Sequence, residues 1–147
     1  MPELVIRNTL AVKAPVTTLW SVLTSNEFIP QYMFGCLAET DWKPGSPLLW
    51  KGAADGKTYV KGHVVAINAP QHLEYTIIDP NSTIEDIPAN YLKMTYDLKE
   101  DGEGSSILEI TQGDFATVAN GQQRYEDSLG GGDHILPAIK KLAEAQR

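Results

Sequence analysis

Residues 4–13 alternate. Leu4, Ile6, Leu10 and Val12 share one parity, broken by Asn8, while Arg7, Thr9 and Lys13 take the other, which predicts a half-buried strand. Pro15 then suits the first turn of a helix, where its missing N–H costs nothing. Val16, Leu19, Trp20 and Leu23 recur at helical spacing through Thr24. Ser25 is an N-cap for a second, short helix with Phe28, Ile29, Tyr32 and Met33 on its apolar side, and Gly35 ends it. Strand patterns follow at 37–42, 47–51, 57–68 and 72–78, separated by Lys43-Pro44-Gly45-Ser46, Ala54-Asp55-Gly56 and Asn68-Ala69-Pro70-Gln71. In such turns Gly supplies positive φ and Pro fixes φ. Residues 79–90 show no period and read as a long loop.

The stretches 91–99 and 105–112 predict a hairpin around Glu100-Asp101-Gly102-Glu103-Gly104. Leu92, Met94, Tyr96 and Leu98 share a parity, and pairing Leu98 with Leu108 sets Ile110 opposite Tyr96 on one apolar face. Residues 120–146 read mainly as helix, about 40 Å if continuous, with Tyr125, Leu129, Leu136, Ile139 and Leu142 recurring three, four or seven apart. Three glycines, 130–132, and Pro137 weaken it, and a break or distortion is expected there. The order predicts an α+β fold of one domain over 1–147. Six or seven antiparallel strands form a curved sheet whose apolar face is covered by the C-terminal helix through Leu129, Leu136, Ile139 and Leu142. A bent sheet against a helix leaves room for a cavity between them.

With 147 residues, 42% hydrophobic and 21% charged, the chain has the material for one ordinary core. Lys and Arg total 12 against 19 Asp and Glu, a net charge of -7, which excludes a nucleic-acid or anionic-membrane partner as the main one. Cys36 is the single cysteine, so no disulfide closes within the chain. The N-terminal residues lack the basic start and apolar run of a signal peptide, and no apolar stretch approaches the roughly 20 residues of a membrane span. A cytoplasmic location is the expectation.

Several motifs resemble those of the START-like (SRPBCC) superfamily, and most closely those of bacterial proteins related to the activator of heat-shock protein 90 ATPase. Ala14-Pro15-Val16 with Leu19-Trp20 and Leu23-Thr24 looks like that family's first helix. Trp42-Lys43-Pro44-Gly45-Ser46 with Trp50-Lys51-Gly52 looks like its strand-turn-strand, and Gly62-His63-Val64-Val65 with Ala69-Pro70 and Leu73-Glu74-Tyr75 like the next hairpin. His134-Ile135-Leu136-Pro137 with Ile139-Lys140-Lys141-Leu142 looks like its C-terminal helix. The chain departs from the pattern at Gly130-Gly131-Gly132, where relatives carry a bulky aromatic residue. The resemblance implies a helix-grip fold built to enclose apolar ligands, with relatives that range from lipid carriers to cyclases to co-chaperone domains. Fold alone does not choose among these roles.

The residues carry no catalytic motif. The candidate metal ligands are His63, His72, His134 and Cys36. A four-residue loop would set Ile67 opposite His72 and His63 near Thr76, too far apart to share an ion. Cys36 beside Gly35 reads as a small buried residue rather than a nucleophile. Glu109 faces solvent by parity, and Asp114 and Asp127 flank the start of the C-terminal helix. The expected ligand-binding residues are Tyr96 and Met94 on the sheet face, Tyr125 and Leu129 on the helix stripe, and Trp50 and Tyr32 from the aromatic inventory. The leading expectation is a small-molecule-binding domain for an apolar or amphipathic ligand, with no cofactor or metal, as a monomer or homodimer. A co-chaperone-like module with a protein partner, and a cavity-based hydrolase, cyclase or dehydratase, remain the alternatives.

Overall fold

A computed structural model describes residues 4–129 and 132–146, with the side chains of 132–134 left out. The elements are β1 (Ile6–Val12), α1 (Val16–Thr24), α2 (Ile29–Tyr32), β2 (Cys36–Glu39), β3 (Pro47–Gly52), β4 (Thr58–Asn68), β5 (His72–Ile77), β6 (Leu92–Glu100), β7 (Ser106–Gly113), α3 (Gly121–Ser128) and α4 (Gly132–Ala145). The seven strands form one antiparallel sheet in the order β1-β7-β6-β5-β4-β3-β2. The segment holding α1 and α2 therefore passes from one edge strand to the other.

The β6–β7 register is the one that parity predicts, with Leu98 opposite Leu108 and Tyr96 opposite Ile110. The β4–β5 turn is tighter than expected: Asn68 pairs with His72 and Ile67 with Leu73. A bulge between Val64 and Ala66 absorbs the extra residue, and beyond it the expected register returns, with Val64 opposite Tyr75. Close by, a Cβ on Gly62 would fall 1.6 Å from the Thr76 carbonyl oxygen. Only glycine lets the two backbones cross there.

The inward face of the sheet meets two separate apolar clusters. The larger joins Val12, Leu48, Trp50, Val64, Leu73, Tyr96, Leu98 and Leu108 to Leu19 and Leu23 of α1, Ile29 and Tyr32 of α2, and Ile139 and Ala143 of α4. The smaller joins Ile6, Leu92 and Phe115, with Tyr125 of α3 packed against them. A polar latch holds α4 to the end of β1: Lys140 Nζ donates to the Ala11 carbonyl at 3.0 Å and pairs with Glu144 at 2.6 Å, and Glu144 accepts from the Lys13 N–H at 2.9 Å.

In 120–146, where a mainly helical segment with a break or distortion is expected, the described residues hold two helices. α3 has 8 residues and α4 has 14, so α4 spans about 21 Å. The expected break falls on Gly130 and Gly131, which lie outside the described residues. Leu129, expected on the buried seam, follows the end of α3 and is 53% exposed. Leu136 and Leu142 are half-buried, and Ile139 is fully buried. α3 has no buried residue of its own and rests on the smaller cluster through Tyr125 rather than on the main core.

Ile139→Ala should therefore cost about 2–5 kcal/mol of stability in denaturant unfolding. Leu129→Ala should stay within about 0.5 kcal/mol. Equal losses would mean that the sealing face of the helix lies elsewhere.

Candidate functional site

Between the two clusters the sheet's inward face borders a hollow of about 690 Å³. Its sheet wall is Trp50 from β3, Val60 from β4, Tyr75 and Ile77 from β5, Met94 and Tyr96 from β6, Ile110 and Gln112 from β7, and Asn8 from β1. Strand alternation aims these side chains to one side of the pleat. The opposite wall is Ile135 and Leu136 of α4 with Asp127 and Ser128 of α3, and Met33 to Cys36 and Gly52 to Asp55 form the rim with Tyr59.

The deep wall is aromatic. Trp50 and Tyr75 have ring centroids 5.9 Å apart, and Tyr75 and Tyr96 meet edge-on at 5.5 Å and 84°. The Tyr75 and Tyr96 hydroxyls are 2.7 Å apart. Two phenols carry two hydroxyl protons, and this bond commits one; the other has no acceptor among the described residues. Burial pushes the Tyr75 phenol far up, with the Tyr96 charge adding to it. It pushes Tyr96 to about 12. Tyr32 is also pushed far up, first by burial and then by Tyr96, and its hydroxyl donates to the Leu23 carbonyl at 3.1 Å.

The rim differs from the wall. Phe34 is 68% exposed and has a left-handed backbone, φ 54°, a conformation that costs a bulky residue on the order of 1 kcal/mol. Tyr59 donates to the Asp55 carboxylate, which holds that carboxyl below its ordinary range. Cys36, expected to be buried, is half-buried on the rim; burial raises its thiol first, and the Asp55 charge adds to that.

Of the six residues expected to bind a ligand, Tyr96, Met94 and Trp50 come together on this wall. Tyr32 sits wholly in the main core, Tyr125 packs edge-on against Phe115 at 5.6 Å, and Leu129 is exposed beyond α3. Sequence reasoning missed Gln112 and Asn8 as wall residues, although the broken parity at Asn8 was a visible sign. Glu109 faces solvent, and Asp114 accepts from the Leu4 and Ala116 N–H groups. His72 lies on the strand surface between Asp97 at 2.5 Å and Glu74 at 3.0 Å, while His63 stands over Tyr91. The His134 side chain lies outside those described. Among the described residues no three His, Cys, Asp or Glu side chains gather as metal ligands, and no helix is long and apolar enough to cross a membrane.

A seven-stranded antiparallel sheet that grips a C-terminal helix is the helix-grip architecture of START-like (SRPBCC) domains, a class associated with ligand binding or co-chaperone activity. The chain belongs to the family of activator of Hsp90 ATPase homolog 1-like proteins, whose family model matches residues 13–144. A protein of Cytophaga hutchinsonii with a solution structure is 30% identical, at a TM-score of 0.77, over 99% of this chain and 98% of that one. A Mesorhizobium loti protein is 17% identical, at a TM-score of 0.76, over 97% and 98% of the two chains. An HSP90 activator from Plasmodium falciparum is 17% identical, at a TM-score of 0.69, over 94% of each. The last two likenesses show the fold alone. Among curated proteins, none matches the chain.

The three buried phenols make a pH prediction. Each holds its proton more tightly in the folded state than in the unfolded one. Their stabilising effect is therefore whole below the ordinary phenol value of about 10 and is lost as pH rises from there through the value of about 12 for Tyr96. Ultraviolet titration should show Tyr32, Tyr75 and Tyr96 ionising only as circular dichroism reports unfolding. Ionisation of all six tyrosines near pH 10 with the fold intact would contradict the placement.

Proposed function

We propose that the chain is a binding domain for a small, mainly apolar molecule held in the hollow between the sheet, α3 and α4. The observation that supports this most is the hollow itself. At about 690 Å³ it falls within the roughly 300–1,000 Å³ of small-molecule pockets, and its walls are apolar and aromatic with few polar groups. Tyr96, Met94 and Trp50 form the binding wall, joined by Ile110 and Leu136. Tyr32 backs this wall from the core, and Tyr125 anchors α3 on the far side of the hollow. The domain is read as one unit over 1–147, and binding needs no cofactor in this account.

Family membership supports a second reading, a co-chaperone-like module that contacts an Hsp90-type ATPase. The exposed ring of Phe34 would suit such a contact. That reading requires no occupied hollow, and apolar probe uptake separates the two.

Nile red should bind the native protein near one to one with a rise in fluorescence. Met94→Trp, which fills the middle of the hollow, should weaken uptake by about tenfold or more. Lys99→Ala, on the outer face of β6, should leave affinity unchanged. No uptake by the native protein would remove the binding reading and leave the protein-partner one.

A further inference from the structure

Asn8 and Gln112 stand on the sheet face that parity reserves for apolar residues. Asn8 pairs with Ile110, and Gln112 pairs with Ile6 and Met94, so the two amides are diagonal neighbours on adjacent strands. Both are half-buried and both border the hollow. Neither side chain has a hydrogen-bond partner among the described residues. A polar group facing an apolar enclosure costs stability unless something bonds it. Leucine or methionine at these positions would continue the stripe that Leu10, Leu108 and Met94 already form.

Charge supplies an independent constraint. Among the described residues, no Lys, Arg or His lines the hollow. The charged groups there are Asp55 and Asp127, both exposed, and the whole chain carries -7. A carboxylate or phosphate drawn inside would lose its water, meet no cation among the described residues and pass two carboxylates on the way. A carboxamide or hydroxyl bears no such penalty. Asn and Gln each offer donors and an acceptor, so they best complement a neutral group that does the same. The uncommitted hydroxyl proton of the Tyr75–Tyr96 pair adds a donor on the deep wall.

We infer, resting on the binding reading above, that the ligand is an uncharged amphiphile whose carboxamide or hydroxyl group bonds Asn8 and Gln112, and that free carboxylates are rejected. The apolar body of the ligand then lies along Met94, Ile110 and Leu136.

The test is displacement of Nile red by decanamide and by decanoate at about pH 8, where a carboxylic acid is ionised. With the native protein, decanamide should displace the probe at a concentration about tenfold or more below that of decanoate. The double variant Asn8→Leu with Gln112→Leu should melt no lower than the native protein, and the decanamide concentration it needs, corrected for its own affinity for Nile red, should rise about tenfold. The single variants Asn8→Leu and Gln112→Met, each with a smaller loss, serve if the double variant folds poorly. Decanoate competing as well as decanamide, or decanamide undiminished in the variants, overturns the inference alone. Absence of Nile red uptake by the native protein removes the binding reading, and this inference with it.

Discussion

The inward face of this sheet is longer than any one helix that covers it. An apolar sheet face must be shielded from water, and here two different helices share the task. α4 seals the part that carries Val12, Leu98 and Leu108, through Ile139 and Ala143. α3 closes the other end, where Tyr125 meets Phe115, Ile6 and Leu92. Between those seals lie Asn8, Met94, Ile110 and Gln112, with the half-buried Ile135 and Leu136 of α4 across from them. The hollow is the gap between two covers.

Stability and binding thus separate along the same strands. Residues near the hairpin end of β6 and β7 belong to the main core, where truncation leaves a costly cavity. Two positions further along each strand, Tyr96 and Ile110 are still buried but border the hollow, and two beyond them Met94 and Gln112 are half-buried. α4 shows the same division along its length: Ile135 and Leu136 border the hollow, while Ile139 and Ala143 are fully buried. A bulge bends the strand that carries it, and β4 has one between Val64 and Ala66.

Much of this was legible in the sequence because a period of two is unambiguous over long strands. Parity in 91–99 and 105–112 placed Leu98 against Leu108 and Tyr96 against Ile110, as observed. Parity could not foresee the bulge in β4, since it falls in the unbroken apolar run Val64-Val65-Ala66-Ile67, where the change of phase does not show. Helical spacing identified Tyr125, Leu136 and Ile139 as one apolar stripe, but periodicity says which side of a helix is apolar, not which core it meets. Tyr125 and Ile139 face different clusters, and Leu129 faces neither. Three of the six expected binding residues line the hollow because they sit on strands. The other three depended on how helices dock, which local pattern does not encode. Asn8 announced itself as a break in alternation, whereas Gln112 lay at a strand end, where a polar residue looks ordinary.

The most direct test of the central claim is methyl NMR of the methionines while Nile red is added. Met33 and Met94 border the hollow from opposite sides, one on the rim and one on the sheet. The account predicts that both methyl signals shift together and saturate at the midpoint of the fluorescence rise. A full rise in Nile red fluorescence with neither signal moved would place the binding site elsewhere and contradict it.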